Sequence, residues 1–191
     1  MNRFLKKVKN LTMETTFHYR AEYTKEGIAR ILSTYLCEEV PVILCIGSDL
    51  VIGDCLAPLV GSFLREQKIS TFLYGTLQQT VTAKELPKLE PFLNKINPHQ
   101  KRLVIDAAIG SKEEIGTIKV RRGALHPGSG VNKRFSPIGD VSILGIVAER
   151  TVTGYSIHDL TRMKLIYSMA KTISDGICLA LNLISQEKYE I

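Results

Sequence analysis

The chain has no tryptophan, and aromatic residues make up only 7% of its 191 positions. Nucleic-acid binding wants a basic stripe on a structured face with interleaved aromatics, and no such stretch occurs. Cysteine is also scarce. Cys37, Cys45, Cys55 and Cys178 form no C-x-x-C pair and show no zinc-ligand spacing. Cys37 and Cys178 fall among apolar residues and are expected to be small core hydrophobes. No apolar run reaches the roughly 20 residues of a membrane-spanning helix. The basic start, with Arg3, Lys6, Lys7 and Lys9, lacks the apolar segment of a secretory signal. The expectation is a cytoplasmic protein that binds neither nucleic acid nor membrane.

What is present is a globular composition, 45% hydrophobic and 23% charged, with enough residues for one domain with a full core. The formal net charge is +6. Residues 1–20 read as a loosely packed basic leader and residues 21–191 as a single domain.

Residues 45–61 read C-I-G-S-D-L-V-I-G-D-C-L-A-P-L-V-G and are the centre of the chain. Before them Val42, Ile43 and Leu44 complete a short apolar, β-branched run of strand character. Gly47 breaks that run, and Gly53 offers a second permissive turn. From Asp54 onward Leu56, Leu59, Val60, Phe63 and Leu64 recur at helical spacing, with Pro58 tolerated in the first turn. The result is strand, glycine-hinged loop, helix. A second buried-type strand, Leu103, Val104 and Ile105, is expected to end at Asp106. In an open α/β sheet ligands bind outside the carboxyl ends of strands, so parallel packing would open Asp54 and Asp106 onto one rim. Each could instead cap a following turn or helix.

Around these two stretches the pattern predicts a helix over 21–36, a strand over 69–74, a helical face over 82–96 interrupted by Pro87 and Pro91, weak β alternation over 115–120, a strand over 141–147 and a last helix to about Leu183, with Ser156 to Asp159 as its cap. Strand–helix–strand alternation argues a parallel sheet. Residues 121–135, rich in glycine, form a long connection of the kind that is often functional. Arg121, Arg122, Lys133 and Arg134 could attract an acidic polypeptide to it.

The turn G-S-D-L-V-I-G lacks the G-K-[ST] ending of a P-loop and does not fit G-x-G-x-x-G. Two aspartates on one rim would also repel a phosphate. Two facing carboxylates suit acid–base chemistry, because close pairing keeps a proton on one while the other activates water. They could equally hold a divalent cation. His126 is the histidine best placed for a site role, followed by His158, whereas His18 and His99 read as surface residues. Asp49 is a third carboxylate in the central loop. Asp54 beside Cys55 opposes thiolate formation, so Cys55 is expected to be structural.

The motifs C-I-G-S-D-x-x-x-G-D-x-L-x-P-L-V-G, Y-G-T-L, V-I-D-A-x-x-G, P-G-S-G-V-N-K and G-D-V-S-I-x-G-I-V resemble the sporulation proteins of the YyaC family, over residues 42–177. That family resembles the germination protease of spore-forming bacteria and, more distantly, the hydrogenase maturation proteases. The resemblance implies a three-layer α/β/α sandwich, phosphorylase/hydrolase-like, with a mostly parallel or mixed sheet. It implies an aspartic-type endopeptidase that acts on small acid-soluble spore proteins or another sporulation protein. Asp54 and Asp106 match the stretches that carry the two catalytic aspartates of the germination protease. The P-G-S-G-V stretch places Ser129, Asn132, Lys133 and Arg134 with Asp49 and His126 in substrate binding. The chain is much shorter than the germination protease, and no stretch of it reads as an obvious propeptide of comparable kind. Hydrogenase maturation proteases bind nickel through two acidic residues and a histidine. Asp54 and Asp106 match the first two, but no S-x-H motif supplies the third, so no metal and no cofactor is expected. Two other functions remain open: a catalytically silent relative that binds and regulates a sporulation partner, and a metal-dependent hydrolase. The oligomeric state is open as well, a homo-oligomer included.

Overall fold

The apolar run ahead of Gly47 forms a strand at the heart of a six-stranded sheet. The computed structural model describes residues 14–37, 39–127, 136–150 and 161–187. Strand β2 (Val42–Cys45) is buried along its whole length, as befits a strand covered on both faces. It pairs in parallel with β3 (Leu73–Tyr74) on one side and with β4 (Arg102–Gly110) on the other. β4 pairs in parallel with β6 (Val141–Glu149), β5 (Thr117–Arg122) runs antiparallel to β6, and β1 (Glu14–His18) runs antiparallel to β5. The sheet order is β1-β5-β6-β4-β2-β3, which makes it a mixed sheet with a parallel centre.

Alternation along β2 splits the core in two. Ile43 and Cys45 face the larger half, with Ile28 and Leu32 of α1 (Thr24–Leu36), Leu56 and Val60 of α2 (Leu56–Glu66), and Ile166, Met169 and Ile173 of α4 (Met163–Glu187). Leu44 and Ile46 face the smaller half, with Val104 and with Leu86 and Leu89 of α3 (Leu86–Ile96). Helices on both faces of the sheet give the expected α/β sandwich.

Glycines set how closely α2 lies on the sheet. A side chain at Gly61 would meet the carbonyl of Gly75, and one at Gly75 would meet the carbonyl of Cys45. The φ of Gly75 is +86°, in the region that favours glycine. The helix backbone therefore lies against the β2–β3 edge.

Several expectations change. Residues 14–18, assigned to the loose leader, form edge strand β1. Its half-polar E-T-T-F-H pattern leaves only Phe17 to pack against the core, which hides the strand from a search for apolar runs. β3 has two residues rather than six. Arg121 and Arg122 belong to β5, not to the long connection, and the Arg121 guanidinium donates to the carbonyl of Ala124 at 2.7 Å. Cys37 is exposed, not in the core, because it is the left-handed residue (φ 52°) that ends α1. Cys178 is half-buried. The cap expected at 156–159 lies outside the described residues.

Candidate active site

The order of the strands marks a place for a site. From β2 the chain crosses to β3 on one side, then returns to β4 on the other. The connecting helices α2 and α3 pack on opposite faces. In open α/β sheets ligands bind outside the carboxyl ends where strand order reverses in this way, here the rim between β2 and β4.

Asp54 reaches this rim from the β2 side. After Cys45 the chain turns through residues 46–51 into a 3-10 turn, Ile52–Cys55, that continues directly into α2. Asp54 thus stands just ahead of the N-terminus of α2, where the unpaired amides and the helix dipole favour negative charge. The turn closes through the amide of Asp54 on the carbonyl of Val51 at 3.0 Å, and the amide of Ser48 donates back to the carbonyl of Asp54 at 3.3 Å. A side chain at Gly47 would run into that same carbonyl, which accounts for glycine there. Gly53, read as a second hinge, sits inside the 3-10 turn.

Asp106 enters from β4. The strand does not end there, as the sequence suggested, but runs on to Gly110. Its pairing with β2, however, stops at Cys45 and Ile105. Asp106 is the first residue of β4 that β2 no longer covers, while on its other side it remains paired with Leu144 of β6. It is 8% exposed. Burial pushes its pKa well above the usual carboxylate range, and the nearby charge of Asp54 pushes it further. A hydrogen bond from the amide of Ala107 at 2.8 Å pulls the other way and is outweighed. The charge of Asp54 thus disfavours ionisation of Asp106.

This coupling has a consequence for stability. A carboxyl whose pKa is raised on folding contributes stability below the usual carboxylate pKa of about 4, and that contribution is lost as pH rises through the raised value. Asp106→Asn removes the titration while keeping the acceptor for Ala107. It is expected to raise Tm relative to wild type at pH 7, with the gap closing toward pH 4. Thermal melts across pH measure it. A gap that is constant with pH would contradict the coupling.

Asp49 is exposed in the loop ahead of the 3-10 turn. The thiol of Cys55 is pushed up by burial, then by the charges of Asp49 and Asp54, which argues against a thiolate nucleophile, as expected. His126 is exposed and follows Leu125, which bridges to Ile138. This stem leaves the sheet at the amino end of β6, but Leu125 and Ile138 fold onto the half of the core that holds Val104, two residues before Asp106 on the same side of β4. Ser129, Asn132, Lys133 and Arg134 lie outside the described residues, as does His158. Two surface clefts of about 510 and 550 Å³, one lined by His18, Arg20 and Arg162 and the other by Lys112, Glu113 and Arg150, include neither aspartate.

Among the described residues, no three His, Cys, Asp or Glu side chains stand together in a way that could hold a metal ion. No helix of the described residues is long and apolar enough to cross a membrane.

Comparison with known proteins agrees with this architecture. The chain is similar to the NiFe hydrogenase maturation protease HycI from Thermococcus kodakarensis KOD1, with a TM-score of 0.53 and 16% identity over 80% of this chain and 99% of that one; this shows a shared fold. It is 33% identical over 139 residues to the uncharacterized protein YyaC of Bacillus subtilis (strain 168), covering 72% of this chain and 68% of the relative. The family model described as "protein of unknown function (DUF1256)" matches residues 16–176, a span that contains both aspartates and every strand but the first residues of β1. The chain belongs to the DUF1256 family.

Proposed function

We propose that the chain is an aspartic-type peptidase that hydrolyses a peptide bond of a protein substrate, with water activated between Asp54 and Asp106. The observation that carries this reading is the burial of Asp106 at the end of its pairing with β2, where burial and then the charge of Asp54 push its pKa up. Ionised Asp54 takes a proton from the attacking water. Protonated Asp106 donates to the scissile carbonyl oxygen as its charge develops, and a proton then passes to the leaving nitrogen. The proton count is a property of the pair, so the two residues exchange roles along the reaction. Asp49, His126, Ser129, Asn132, Lys133 and Arg134 are assigned to substrate binding. The family resemblance favours a sporulation protein as substrate, small acid-soluble spore proteins first. Incubating the purified chain with such proteins and reading the products by mass spectrometry tests the reading.

Activity is expected to survive chelation, because the described donor set lacks a third ligand. Peptide hydrolysis measured with and without EDTA checks this. Full loss restored by one metal would instead support a metal-dependent hydrolase.

A further inference from the structure

The loop between β2 and the 3-10 turn carries a leucine that is 88% exposed, Leu50, and Ile52 behind it is 41% exposed. Single exposed apolar residues are ordinary. These two are unusual in their setting, because they flank Val51, whose carbonyl holds the amide of Asp54. The loop is also held in place. The amide of Leu50 donates to Ser48 Oγ at 3.2 Å, and the amide of Gly47 donates to the carbonyl of Val81 at 2.9 Å. That second bond ties the loop to the segment that follows β3. Leu50 is thus presented on a fixed frame, which lowers the entropy lost when a ligand packs against it.

We propose that Leu50 and Ile52 form the specificity wall of the Asp54/Asp106 site and select an extended polypeptide with an apolar side chain beside the scissile bond. This rests on the peptidase reading above. The sign of the charge agrees with it. Asp49 and Asp54 bracket Leu50 and Ile52 in the chain, so an acidic side chain at that substrate position would be repelled, whereas a leucine or phenylalanine gains by removing Leu50 from water.

Short fluorescein-labelled peptides that differ in one central residue (Leu, Phe, Ser or Asp) provide the test, with binding read by anisotropy and cleavage read on the same peptides. Wild-type protein is expected to bind the Leu and Phe peptides at least about 10-fold more tightly than the Ser and Asp peptides. Leu50→Ser should lose that preference at unchanged Tm, since the side chain is exposed, and Leu50→Met should keep it. Equal binding of all four peptides, no binding of any, or an unchanged preference in Leu50→Ser would overturn the proposal. So would a dimer that Leu50→Ser dissociates in sedimentation, because a second copy of the chain would then cover the loop. Apolar preference in binding without cleavage would support the wall and overturn the peptidase reading. Cleavage without apolar preference would do the reverse.

Discussion

Asp106→Asn is expected to lower the rate of peptide hydrolysis by at least ~10²-fold, as for loss of a positioned acid, in a protein whose Tm at pH 7 is not reduced. The substitution keeps size and the acceptor for the amide of Ala107 but removes the proton that burial and Asp54 hold on the group. Asp54→Asn should lose at least as much, since it removes the base and also the charge that raises Asp106. The two losses should not add, because each variant disables the same pair. The double variant should therefore be about as slow as either single one. Single-turnover rates on a cleaved substrate measure all three. A folded single variant at the wild-type rate would falsify the pair.

The largest expected effect on stability lies at the glycines beneath the site. Gly75→Val puts a branched side chain at φ +86° and against the carbonyl of Cys45. Backbone surrounds it, so no flexible neighbour can move away. A cost of about 3–5 kcal/mol is expected, or ~6–20 °C in Tm for a chain of this size. Gly123→Ala is the control. It also has a positive φ, +117°, but nothing lies within 4 Å of an added Cβ, so only the backbone cost of about 1 kcal/mol applies. Urea denaturation of both variants separates steric from conformational cost. Equal losses would show that close packing at Gly75 contributes nothing.

Parts of this architecture can be read directly from the residues. The continuous apolar run of Val42 to Ile46 marks a strand buried on both faces, and the helical spacing of Leu56, Val60 and Leu64 marks the helix that follows it. Gly75 can be identified as the end of β3. The site is partly legible: one aspartate before a helix and one after an apolar run point to one rim, but the reversal of strand order that marks this rim is a property of the whole sheet. Asp106 looked terminal because Ala107, Ala108 and Gly110 are weak strand formers; pairing with β6 carries β4 through them. β1 was hidden by its polar positions. Leu50 and Ile52 carry no sequence signal of their exposure, because apolar character alone does not reveal it. Arg121 and Arg122 looked like loop charges because the strand of residues 117–122 alternates polar and apolar up to the glycine at 123.

The proposed activity is that Asp54 and Asp106 together cut a peptide bond. Its most direct test is mass spectrometry of new protein N-termini in an extract of small acid-soluble spore proteins, incubated in parallel with wild-type chain and with Asp106→Asn. The account predicts new N-termini with wild type that fall to background with the variant. The same N-termini with both proteins, or none with wild type, would contradict it.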